Sequence, residues 1–182
     1  LYGQESTQPS LYYLGGALIL RLTGVDTEDA WAYLRVNPHS TCGSPHLQGN
    51  KAYLAHDPLR ERFPWRGAIL ALHLLRWYST ALGLCTVLGV WAIADLCFPN
   101  RRALALLAAA CTALNPQFLF VSAGINNDNL LVALCTWGLY LILRALRRGL
   151  TAWGAVLLGC VIGLAALSKL GGVLLLPLAA LV

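Results

Sequence analysis

From Ala103 to Ile125 no residue carries a formal charge. A helix needs about 20 apolar residues to cross the hydrocarbon core of a bilayer, and this run supplies them. Four further apolar stretches flank it, giving predicted spans over about 67–97, 103–125, 129–146, 150–168 and 172–182, the last truncated. The 129–146 run is short, but Arg144, Arg147 and Arg148 can snorkel and extend it. The composition agrees: 58% of residues are apolar and 12% charged, about half the usual ~25%. Mean hydropathy is +0.62. The expected fold class is an all-α polytopic membrane protein, which excludes a soluble globular domain.

Short turns join these stretches, and their charges alternate. Arg101-Arg102 and Arg147-Arg148 mark two turns, while Asn126-Asn127-Asp128 and Lys169 mark the other two. The positive-inside rule puts the arginine turns in the cytoplasm. Asp128, Lys169 and everything before Gly67 then lie on the extracytoplasmic side. The net charge of +5 is matched by the five arginines of the two cytoplasmic turns. That charge serves topology and anionic-lipid contact, and no basic soluble face for nucleic acid is present.

Residues 1–66 differ in kind from 67–182. The stretch around 11–22 is too short to span and opens on Tyr12-Tyr13, which suits a helix lying in the membrane interface. Asp26 to Arg66 forms a long polar loop with five acids and five bases. Its turn-forming pieces, Asn37-Pro38-His39, Gly43-Ser44-Pro45 and Gly49-Asn50, predict ordered irregular structure. Trp31, Tyr33, Tyr53 and Trp65 give it aromatic surface to pack. The chain has no methionine and stops inside an apolar run, so it reads as an internal fragment of a longer protein. Of its six cysteines, all but Cys42 lie in or beside apolar runs, as small packing residues do. His39, His46 and His56 have no compact ligand spacing.

Asp128 is the sharpest chemical feature. A carboxylate between Asn126-Asn127 and Asn129 can take a proton from an attacking hydroxyl, hold a divalent cation, or cap the helix that follows. Lys169 ends an uncharged run on the same side, where it either binds the phosphate of a lipid head group or anchors a helix end. His73 and Arg76 share a helix face two or three turns inside the first span: either a functional ionisable pair, or an arginine snorkelling outward. Asp95 is expected to pair with Arg101 and Arg102. Asn115-Pro116 is expected to kink the second span.

Gln8 to Tyr13, Asn115 to Asn129 and Gly163 to Leu170 together resemble segments of bacterial GT-C glycosyltransferases of the protein-mannosyltransferase and aminoarabinose-transferase type, including an uncharacterised multi-spanning branch. Gln8-Pro9-Ser10-Leu11-Tyr12-Tyr13 is similar to a QPPLYY segment of that group, with Ser10 replacing a proline. The stretch Asn115 to Asn129 is similar more closely, as is Gly163-Leu164-Ala165-Ala166-Leu167-Ser168-Lys169-Leu170. Asn37-Pro38-His39, Gly49-Asn50-Lys51 and Phe63-Pro64-Trp65-Arg66-Gly67 look like loop segments of the uncharacterised branch. The resemblance implies a GT-C-like helical bundle fragment with an interfacial helix and a long extracytoplasmic loop. It implies an inverting transferase that uses a polyprenyl-phosphate-linked sugar at the outer face of a bacterial plasma membrane. The main catalytic acid of such enzymes follows their first span; that acid is expected to be missing here, Glu5 is not its equivalent, and this piece alone is expected to be inactive. Asp128 matches the second acidic position, and Lys169 a lysine facing the lipid phosphate. Arg76, His73 and Asn127 complete the expected substrate-binding set. Any cofactor would be a divalent metal at Asp128, and the acceptor is not specified. The alternative is a transporter or non-catalytic membrane protein, for which Asn115-Pro116 alone offers a broken helix.

Overall fold

The computed structural model describes residues 9–33, 35–41, 48–50, 52–59 and 61–182. The expectations placed on Glu5, Gln8, Cys42, Gly43-Ser44-Pro45, His46 and Lys51, and on the side chain of Tyr33, lie outside them. Among the described residues seven α-helices form: α1 (Leu11–Thr23), α2 (Gly67–Cys97), α3 (Arg102–Ala113), α4 (Pro116–Ser122), α5 (Asp128–Arg148), α6 (Ala152–Ser168) and α7 (Leu175–Ala179). Short 3-10 helices cover Glu28–Tyr33 and Leu170–Leu174. Among the described residues no strand forms, only the isolated bridges Val36–Leu54 and Ser40–Asn50. The chain is an all-α polytopic membrane protein.

Helices α2 and α5, of 31 and 21 residues, are each long and apolar enough to cross a membrane. The α3–α4 pair makes a third candidate, bent by 64° at Asn115. Here the expected kink is a complete break. Pro116 has no N–H to continue α3, and Asn115 Oδ1 accepts from the N–H groups of Gln117 and Phe118 at 2.9 and 3.2 Å, so a new helix starts with its own cap. Helix α6 has 17 residues, about 26 Å at helical rise, against a hydrocarbon core of about 30 Å. Beyond it the apolar run from Gly172 is a 3-10 helix followed by the five residues of α7.

The chain divides into two compact units, one comprising the segment up to Leu18 with Leu75–Val182, the other Ile19–Leu74. In the first, α5 and α6 pack through Ile142, Leu158, Ile162 and Ala165, with Leu175 of α7 against them. Helix α1 docks on α2 by Tyr12, 1% exposed, whose hydroxyl lies 2.6 Å from Ser79 Oγ and whose ring stacks on Tyr78 at 5.3 Å. Trp137 Nε1 of α5 donates to the Cys85 carbonyl of α2 at 3.2 Å. Leu14, Leu18 and Leu22, four residues apart, stand exposed along α1.

In the second unit, Asp29 Oδ1 accepts from the Ala68 N–H at 3.0 Å and so caps α2 from a distance. Gly67 has φ +52, and a Cβ there would lie 2.6 Å from the Asp29 carboxylate, so glycine is required for this cap. The loop is ordered by backbone bonds from Asn37 to Tyr53 (2.9 Å) and from Ala55 to Arg35 (2.8 Å). Glu61 closes its far end, bonding His56 Nδ1 at 2.9 Å and the Asp57 N–H at 3.0 Å.

One glycine decides how the chain leaves α6. A Cβ on Gly172 would sit 2.3 Å from the carbonyl carbon of Ala165 and 2.4 Å from its oxygen. Only glycine lets the 3-10 helix fold back onto the last turn of α6. Gly172→Ala is therefore expected to lower stability by about 1–3 kcal/mol, as overpacking does. Gly171→Ala, whose Cβ would meet nothing nearer than a Leu131 methyl at 3.9 Å, serves as the control. Thermal unfolding of the intact protein in detergent checks this; equal Tm values for the two variants would contradict it.

Candidate functional site

The start of α5 and the end of α6 meet at one ion pair. Lys169 Nζ lies 2.6 Å from Asp128 Oδ1, and each side chain is about a third exposed, at 35% and 37%. Two local features aim these groups. Lys169 is the residue after α6, with extended backbone (φ −162, ψ 146), and its carbonyl accepts from the Gly172 N–H at 2.8 Å. Asp128 is the first residue of α5, fixed by its own N–H donating to Asn126 Oδ1 at 2.9 Å. A carboxylate in that first turn is also favoured by the helix dipole.

The cap position itself belongs to Asn127, not Asp128. Asp128 uses Oδ1 on the lysine, and Oδ2 has no partner among the described residues. The capping alternative therefore does not account for this carboxylate.

The turn that presents Asp128 is held from three sides. Arg76 Nε of α2 donates to the Ala123 carbonyl at the end of α4, 2.9 Å away. Asn129, 5% exposed, donates through Nδ2 to the carbonyls of Val121 and Gly124 at 3.2 and 3.0 Å. Ser168, fully buried, places Oγ 3.5 Å from the Asn127 carbonyl. Asn127 is 4% exposed. Asp128 also lines a cavity of about 40 Å³ with Gly83, Thr86, Ser122 and Asn129.

Four of the five expected site residues thus belong to one unit: Arg76 and Asn127 support the turn, and Asp128 pairs with Lys169. His73 belongs to the other, where its ring stacks on Trp65 at 3.6 Å with the planes 17° apart. Sequence reasoning missed Ser168, whose one signal is a hydroxyl closing an apolar run just before Lys169. It also missed how Asn129 acts, as a brace across the α4–α5 turn.

A divalent cation finds little here. One carboxylate already bonded to an ammonium is a poor start for an oxygen ligand set. Among the described residues no three His, Cys, Asp or Glu side chains gather. His39 and His56 share no metal site among them, and His56 is committed to Glu61.

Asp95 makes no ion pair among the described residues, contrary to expectation. The arginine that engages this end of α2 is Arg147, whose guanidinium donates to the Leu96 and Cys97 carbonyls. Those are orphan acceptors at a helix terminus, and a basic side chain satisfies them well.

Compared with known families, residues 71–182 match the dolichyl-phosphate-mannose-protein mannosyltransferase family. The chain belongs to that family. The match contains Arg76, Asp128 and Lys169, and membership makes the protein a membrane glycosyltransferase of the GT-C type. No curated protein and no solved structure matches the chain.

Proposed function

We propose that this mannosyltransferase-family chain moves a sugar from a polyprenyl-phosphate-linked donor to an acceptor hydroxyl at the extracytoplasmic face, with Asp128 and Lys169 at the reacting end. The observation that carries the reading is the Asp128–Lys169 pair, 2.6 Å apart and joined across α5 and α6 in a chain of this family. Without donor, carboxylate and ammonium hold each other. A lipid phosphate entering the site competes for the ammonium and frees Oδ1.

The acceptor oxygen then attacks the anomeric carbon while the bond from that carbon to the phosphate oxygen breaks. The bonding pair leaves with the phosphate, and the hydroxyl proton passes to a carboxylate. Asp128 supplies or supports that base beside the first-loop acid implied by the family resemblance. Lys169 stabilises charge as it builds on the departing phosphate. Arg76 spends Nε on Ala123, and its terminal nitrogens have no partner among the described residues, so it supports the same phosphate. Asn127, buried at the cap, positions Asp128. Helix α1 lies in the interface with Leu14, Leu18 and Leu22 toward lipid.

The transporter alternative rests on the broken α3–α4 helix. That break is closed by Asn115 capping its own helix, which leaves little for a transported ion.

Sealed membrane vesicles test function and face together. With the intact protein and a short-chain, membrane-impermeant polyprenyl-phosphate sugar outside, right-side-out vesicles are expected to transfer sugar and inside-out vesicles to be silent. Transfer confined to inside-out vesicles would reverse the face; none in either would remove the function.

A further inference from the structure

At the opposite end of α2 and α5 from this site, the arginine-bearing turns enclose an open cavity of about 770 Å³. Asp95, Arg102, Arg147 and Arg148 line it at the helix ends, and Trp91 and Leu106 line it deeper. We propose that it binds the phosphodiester head group of an anionic phospholipid, with an acyl chain lying along Trp91 and Leu106. This inference is independent of the transfer reading.

The cavity is graded from charge to grease along all three of its helices. Trp91 precedes Asp95 by four residues in α2, and Leu106 follows Arg102 by four in α3, so each lies one turn, about 6 Å, farther from the helix end. Tyr140 precedes Arg147 by two turns in α5, about 10 Å. A soluble phosphate would use only the charged rim. A phospholipid uses both parts, because its head group and chain are joined in that order.

Charge favours an anion. Three guanidinium groups face one carboxylate around the cavity, a net charge of +2. Arg147 is engaged by the α2 carbonyls, but Arg102 and Arg148 have no partner among the described residues. Arginine's planar fork suits a phosphate's oxygens, and basic pockets between spans are suited to lipid head groups. The end of the cavity is set by Asn100, whose left-handed backbone (φ +67) makes the tight α2–α3 turn possible. Arg144 does not line this cavity; it faces a separate one beside Trp153 and Leu157.

Native mass spectrometry of the intact, delipidated protein in detergent tests the proposal, with phosphatidylglycerol and phosphatidylcholine added in parallel. The parent is expected to retain phosphatidylglycerol in preference to phosphatidylcholine, and excess inorganic phosphate is expected not to displace it. Arg102→Gln and Arg148→Gln, measured separately, should each weaken retention about fivefold, the value of one basic side chain at a lipid surface. Arg144→Gln should leave it unchanged. Parent-like retention by both Arg102→Gln and Arg148→Gln would overturn the site. An equal loss in Arg144→Gln would mean diffuse charge without a site, and displacement by inorganic phosphate would assign the rim to free phosphate.

Discussion

Replacing Asp128 with asparagine in the intact protein is expected to cut sugar transfer by about 10²–10⁴, the usual contribution of a positioned acid–base group. The substitution keeps the shape of the side chain and retains an oxygen for Lys169, so it removes charge and basicity with little change in packing. Because the backbone N–H at position 128 still donates to Asn126 Oδ1, α5 should start where it does in the parent. The pair is about a third exposed, and pairs of that exposure add little to stability, so Tm should move by a degree or two at most. Turnover and thermal unfolding measured on the same preparation check both statements. A parent rate would make Asp128 structural. A collapse in Tm alongside the lost rate would make it a folding residue.

Lys169→Gln is expected to act on the donor. A charge-assisted contact to phosphate is worth roughly 1.5–3 kcal/mol, so the donor KM should rise by about 10- to 100-fold. The acceptor KM should stay within a factor of two or so, since only the donor carries the phosphate. Lys169→Arg should recover part of the loss by keeping the charge, and not all of it, because a planar fork replaces a compact ammonium. Steady-state kinetics with each substrate varied in turn separates these outcomes. Equal changes in both KM values would leave Lys169 as an interfacial anchor.

Much of the helical plan was legible because hydrophobic run length reports directly on what lipid will accept. Asn115-Pro116 announced a disturbance, since proline removes a donor, but not its size. The size follows from the Asn115 side chain turning back to cap α4, a choice made by geometry. The same limit applies at the site. The alternation of Arg101-Arg102, Asp128, Arg147-Arg148 and Lys169 sorts those residues between two ends of a bundle. It does not say that two residues 41 apart will touch. That contact depends on Gly172, which turns the chain back against Ala165 and aims Lys169 at α5. Glycine in an apolar run gives no such sign by itself. Arg76 shows the converse: its depth in a span marks it as costly, while its partner, the Ala123 carbonyl, exists only because α4 ends there. Asp95 misled for a related reason. Nearness in sequence to Arg101 and Arg102 suggested pairing, yet the end of α2 is taken by Arg147 from α5, 50 residues on.

Asp128 and Lys169 are proposed to work as one device on a lipid-linked sugar phosphate. A double-mutant cycle on release of polyprenyl phosphate measures this most directly, comparing the intact parent, Asp128→Asn, Lys169→Gln and the double variant. Residues that act as a unit show strongly non-additive losses in kcat/KM. The double variant is expected to lose clearly less than the product of the two single losses. Losses that multiply, or a double variant that releases polyprenyl phosphate at the parent rate, would contradict this.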